Sequence, residues 1–170
     1  MRLASVTVLG MSLALVACQS VPRPPQTTAF SAEEAAFIRK PGRGIVAGHA
    51  FRTRTTGSVV NAAGEVVRLV PATAYARERF EQLYGKGKFL PVARYPANDE
   101  VDPAYAELTR TVKSDARGRF RFEGVPPGRY YVTTQVVWGE GSKREGGSVY
   151  DTVTLTGRET EPVDLILSGH

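Results

Sequence analysis

The 170-residue sequence has one cysteine, Cys18, one tryptophan, Trp138, and two histidines, His49 and His170. A single cysteine cannot close an internal disulfide, so packing and hydrogen bonds must hold the fold. The histidines give no prepared acid and base pair, because His49 falls in a strand-like stretch and His170 is the last residue. Basic residues are not concentrated either. The 22 Lys and Arg are interspersed with 17 Asp and Glu, whereas nucleic-acid binders gather basic side chains on one face or helix. No nucleic-acid partner is expected, and most of these charges read as a solvated surface. No internal repeat is evident, and no apolar run reaches the roughly 20 residues of a transmembrane helix.

The longest apolar stretch runs from Leu3 to Val16 behind Met1 and Arg2, broken only by Ser5, Thr7, Gly10 and Ser12. It has the charged start and short apolar middle of a secretory signal. The residues that follow, Leu15, Val16, Ala17 and Cys18, resemble the lipobox of bacterial lipoproteins. The resemblance implies that residues 1–17 are a cleaved leader and that Cys18 carries the lipid that attaches the chain to a membrane. An ordinary signal followed by an incidental cysteine is the alternative, but a lone cysteine at the cleavage point fits lipidation better. Acylation also occupies the only thiol, which removes a cysteine-protease reading. Gln19 stands where an inner-membrane retention signal would have aspartate, so the resemblance implies the outer membrane in a Gram-negative cell, on its periplasmic or its surface face. Loss of Arg2 with the leader takes the formal charge from +5 to +4.

Residues 18–42 come next. Gln19 to Ala29 is rich in Pro, Thr and Ser, and Pro22, Pro24 and Pro25 predict an extended, poorly packed tether gaining roughly 3 Å per residue. Ser31 and Glu34 have capping-box spacing and open a short helix that Pro41 and Gly42 stop, with Phe37 and Ile38 docking it on the domain.

Residues 43–170 read as one β domain. Ile45–Phe51 and Glu65–Val70 are candidate strands, with Asn61–Gly64 as the turn before the second. In Arg119, Phe120, Arg121 and Phe122 apolar and charged residues alternate, and the turn chemistry of Asp115 to Gly118 before them predicts a hairpin. After a second turn at Val125–Gly128, Tyr130, Val132, Thr134, Val136 and Trp138 share the expected buried face; Tyr131, Thr133, Gln135 and Val137 share the other. Beyond the Gly-rich loop Gly139–Gly147, Val149, Val153 and Leu155 lie in one strand, and Val163, Leu165 and Leu167 in the last. One segment breaks the pattern. Thr73 can cap a helix from Ala74 to Tyr84 that Gly85 ends, and a loop with a possible strand at Phe89–Ala93 follows, so residues 72–106 read as an insertion between sandwich strands. Insertions longer than about 15 residues are more often functional than ordinary connections.

The stretch from Thr111 to Val132, TVKSDARGRFRFEGVPPGRYYV, resembles the signature of carboxypeptidase regulatory-like domains, in which a D-x-x-G-x-F-x-F motif is followed by G-V-P-x-G-x-Y. Gly44–Gly48 and Gly64–Val67 are similar to that family's opening strands, whereas the insertion departs from its compact pattern. The resemblance implies an all-β, transthyretin-like (prealbumin-like) β-sandwich of about seven strands with a helical insertion. It also implies a module for structure, adhesion or docking, without chemistry of its own.

Candidate chemistry is sparse. Transthyretin-like hydrolases of hydroxyisourate carry paired histidines, an arginine and a C-terminal Y-R-G-S; this chain ends in Leu167, Ser168, Gly169 and His170. Asn98, Asp99, Glu100 and Asp102, with Glu107 beyond, lack the glycine and closing glutamate of an EF-hand and read as a solvated acidic loop. Gly85 to Lys88 reads as a helix exit, not a phosphate cradle. No enzyme activity, cofactor or metal is expected. The candidate contact residues are Tyr75, Tyr84, Tyr95 and Tyr105 of the insertion, with Phe89 beside them, which either face a partner or anchor the insertion on the sandwich. The expectation is a membrane-anchored, non-catalytic module that binds another envelope protein, with service to a secretion or surface assembly as one form of that role. The alternative is a carbohydrate-binding module for peptidoglycan or surface glycan.

Overall fold

The computed structural model describes residues 25–96 and 99–170; the leader and Cys18 lie outside them. Among the described residues there are nine strands: β1 (Gly44–Thr53), β2 (Val59–Asn61), β3 (Val66–Pro71), β4 (Phe89–Pro91), β5 (Arg110–Lys113), β6 (Arg119–Val125), β7 (Gly128–Trp138), β8 (Glu145–Leu155) and β9 (Val163–Leu167). Three α-helices accompany them: α1 (Ala32–Ala35), α2 (Ala74–Tyr84) and α3 (Pro103–Glu107).

The strands form the expected all-β sandwich. One sheet has β1 at its centre, with β6 antiparallel on one edge, β9 parallel on the other, and β2 on the far end of β1. The second is five-stranded and antiparallel in the order β4-β8-β7-β3-β5. Alternation along the longer strands supplies the core between them. Val46 and Ala50 of β1, Phe120, Phe122 and Val125 of β6, and Leu167 of β9 meet Val67, Leu69, Tyr130, Val132, Val136, Val149, Val153 and Leu155 of the second sheet. Tyr130, fully buried, keeps its hydroxyl satisfied by donating to the Pro126 carbonyl at 2.8 Å.

The hairpin expected at Asp115–Gly118 does not form. β5 pairs with β3 and β6 pairs with β1, so this turn carries the chain from one sheet to the other. Local turn chemistry fixes where the chain reverses, not which strand it meets afterwards. The turn itself is as expected: one Asp115 carboxylate oxygen accepts from the Arg117 and Arg119 amides, and Gly118 has φ 76°. Gly118 is also pinned to β1, since a Cβ there would sit 2.4 Å from the Ala50 carbonyl oxygen. The Val125–Gly128 turn crosses back in the same way, where Phe37 packs against Gly128 and the Tyr130 ring. Strand β2 is not among the expected strands; it is too short to show an alternation, and it takes in Asn61, which was expected in the turn.

Of the tether expected over residues 19–29, residues 19–24 lie outside the described residues. From Pro25 on, the chain is not an unpacked tether but is strapped across α2. The Glu78 carboxylate accepts from the Thr27 and Thr28 amides, both at 2.8 Å, and from Gln26 Nε2 at 3.1 Å. Gln82 Nε2 donates to the Pro25 carbonyl at 3.3 Å, and the Phe30 ring meets Tyr75 and Tyr105 edge-on. Composition argues for an unpacked chain, but one carboxylate offers this backbone the acceptors its own residues cannot. Hydrogen bonds from the Thr28 side chain and the Thr27 backbone hold Glu78 well below its ordinary 4.5, at about 2. A carboxyl depressed on docking stabilises the docked strap above pH 4.5 and loses that contribution as pH falls towards 2. Limited proteolysis should therefore cleave before residue 30 faster in Glu78→Ala than in the wild type at pH 7, and the difference should shrink as the pH is lowered through this window.

Candidate functional site

The insertion begins where the expectation placed it. The Thr73 hydroxyl accepts from the Ala76 amide at 3.2 Å, and Gly85 closes α2 with φ 60°. Glu34, expected to fold back within its own capping box, instead accepts from the Ala74 amide at 3.0 Å and adds a second cap to α2. The apolar face of α2 lies on the outer face of the five-stranded sheet, where Ala76 and Phe80 bury Val70 and Tyr131. Phe80 stacks on Tyr131 with centroids 4.2 Å apart and planes 12° apart. The chain then adds β4 to the free edge of β8, pairing Phe89 with Val149, and returns through a 3-10 turn and α3.

Between α2, this return stretch and the sheet lies a cavity of about 550 Å³. Its sheet side is polar. Arg68 of β3, Thr111 of β5, Thr133 and Gln135 of β7 and Ser148 of β8 line it, while Phe80, Leu83, Tyr84, Tyr95 and Tyr105 supply rings and aliphatic surface from the insertion. Arg79 and Asp99 are hydrogen-bonded as an ion pair at the rim, and the Arg79 guanidinium lies 5.9 Å from the Tyr105 ring centre. Tyr84 Oη meets Ser148 Oγ at 2.6 Å and Thr133 Oγ1 at 3.1 Å; Thr133 in turn donates to the Val149 carbonyl at 2.9 Å. Burial raises the phenols of Tyr84 and Tyr105 above their ordinary 10 and takes Tyr95 to about 12. All three stay neutral at physiological pH. They serve as uncharged donors and acceptors, not as bases.

The four tyrosines named from sequence divide unequally. Tyr75, 7% exposed, is buried under Phe30 and Tyr105 and presents no contact surface. Tyr84, Tyr95 and Tyr105 are half-buried and line the cavity, so no exposed aromatic platform exists among the described residues of the insertion. Phe89 packs on the main core beneath the Arg52 guanidinium. Of the acidic residues, Asp99 pairs with Arg79, Asp102 caps α3, Glu107 lies near Arg39 and Glu100 is exposed; Asn98 lies outside the described residues. His49 meets Asn61 Oδ1 at 3.0 Å on the other sheet, and Trp138 donates to Glu145 at 3.0 Å at the core rim. Arg68, Thr111, Ser148 and Arg79 were not singled out by sequence. The available signal was the polar second face of β7, Thr133 and Gln135, facing an insertion that had to cover it.

No family model matches the chain, and no curated protein matches it. A solved structure does: a Pseudomonas aeruginosa protein named a "putative carbohydrate binding protein" superimposes with a TM-score of 0.68 at 28% sequence identity, covering 83% of this chain and 98% of the other. The similarity reinforces the β-sandwich architecture.

The hydroxyl network gives a contrast that can be measured. Tyr95 Oη is buried and makes no well-formed hydrogen bond. Tyr95→Phe should therefore leave stability within about 0.5 kcal/mol of the wild type. Tyr84→Phe should cost about 1 kcal/mol by removing the partner that Thr133 and Ser148 share, read as a shift in the midpoint of chemical denaturation.

Proposed function

We propose that this chain is a lipid-anchored envelope module, without chemistry of its own, whose pocket holds a saccharide. The observation that carries the reading is the cavity itself. At about 550 Å³ it lies in the range of small-molecule sites, and it sets aromatic and aliphatic walls against a floor of hydroxyl and amide groups. Sugars need both surfaces, because their C–H faces pack on rings while their hydroxyls exchange hydrogen bonds as donor and acceptor. The name of the similar Pseudomonas aeruginosa protein supports the same class. Among the described residues the lining contains no histidine, and the Asp99 carboxylate is engaged by Arg79, which supports binding over catalysis. The lipobox-like residues ending at Cys18 support attachment to the outer membrane. Among the described residues no helix is long and apolar enough to cross a membrane.

Docking to another envelope protein is the second reading, favoured by the outer face of the β1 sheet, where Ile166 is 65% exposed and Val59 56%. A photo-crosslinker at Ile166 that captures one envelope protein in intact cells, with no saccharide titrating the pocket, would favour it.

Two measurements test the proposal. Oligosaccharides from the cell envelope should shift the NMR signals of Thr133, Gln135 and Ser148, and Gln135→Ala should weaken binding about 5- to 10-fold through one lost neutral hydrogen bond. Shifts confined to the β1 sheet would sink the saccharide reading. Cys18→Ser should release or misprocess the protein while leaving the sandwich folded; a variant still membrane-bound and lipid-labelled would refute the anchor.

A further inference from the structure

We infer that the saccharide taken by this pocket carries a carboxylate, and that Arg68 recognises it; the inference rests on the saccharide reading above. Among the described residues three charged side chains line the cavity: Arg68, Arg79 and Asp99. Arg79 is buried and bonded to Asp99, so those two charges answer each other. Arg68 differs. It stands exposed on β3, opposite Thr111 of β5 and Thr133 of β7, and both neighbours are uncharged. Among the described residues no carboxylate lies within ion-pair distance of it, which leaves the pocket with one formal positive charge in excess.

A guanidinium held in this way has a specific use. Its planar fork of N–H groups matches the two oxygens of a carboxylate, and it stays charged at any physiological pH. On either side of it the floor offers Thr and Gln side chains suited to neutral hydroxyls. The arrangement therefore fits a sugar acid of the uronic class, with the carboxylate on Arg68 and the ring hydroxyls on Thr111, Thr133 and Gln135. A neutral sugar fills the hydroxyl positions and leaves the guanidinium to water. Being partly exposed, such a pair weakens as salt is added.

The test uses the full chain in detergent and matched probes: uronic-acid oligosaccharides, the same oligosaccharides after reduction of their carboxyl groups, and sulfated counterparts, titrated by calorimetry at low and high salt. The acidic form should bind about 10- to 100-fold more tightly than its carboxyl-reduced twin, and Arg68→Gln should lose that margin. Arg68→Lys should keep part of it, since an ammonium retains the charge without the fork. Arg121→Gln, on the opposite sheet, should bind like the wild type, and a thermal midpoint for each variant confirms that it is folded. Equal binding of acidic and reduced forms overturns this inference and leaves the saccharide reading standing. Preference for the sulfated form overturns the assignment of a carboxylate. Binding of none of the probes overturns the saccharide reading and this inference with it.

Discussion

Tyr130 and Tyr131 are neighbours on β7, point to opposite faces of the sheet, and are both buried. Two layers cannot achieve that. The other sheet covers Tyr130, so a third layer must cover Tyr131, and α2 provides it through Phe80. The insertion between β3 and β5 is therefore no ornament on a finished sandwich. Without it Val70, Tyr131 and the partly buried Tyr150 would face water, and full burial of an apolar side chain such as Val70 is worth about 1.5–3 kcal/mol. The strap of residues 25–30 then covers α2 in turn, with Glu78 as its clasp.

The same coverage is deliberately incomplete further along β7. Beyond Tyr131 the outward residues become Thr133 and Gln135, which gain nothing from an apolar helix and would lose their hydrogen bonds beneath one. α2 ends at Tyr84, whose hydroxyl bonds to Thr133 and Ser148, and the chain passes over the remaining floor at a distance instead of settling on it. The cavity is what is left between a face too polar to bury and a segment anchored by its aromatics on either side. Arg68 stands in that floor because it shares the outward face of β3 with Val70, and the strands on either side set threonines opposite it.

What could be read from the sequence was local. The bounds of α2, the Thr73 cap, the Asp115–Gly118 turn and the two faces of β7 each follow from a few adjacent residues, and the structure has them in place. Partner choice was not legible. β5 and β6 flank a good turn yet join different sheets, because Phe120 and Phe122 are aligned by β1 and not by their neighbour in the chain. The strap was hidden for the same reason, since Glu78 captures Thr28 across a separation of 50 residues that no periodicity reports. The tyrosines were identified by type, but a ring that anchors an insertion and one that lines a cavity look alike in sequence. Arg68 looked like any outward charge on a strand; its meaning comes from the threonines opposite it and from the lack of an ion-pair partner among the described residues.

The parallel pairing of β1 with β9 has a kinetic side. Val46 to Ala50, near the start of the domain, receive their second neighbour only from Val163 to Leu167, at its end. Closing so long a loop costs entropy before any contact repays it. The central strand of one sheet therefore stays half-paired until β9 is available. Completing this sheet waits on β9, which must be brought side by side with β1 from far along the chain.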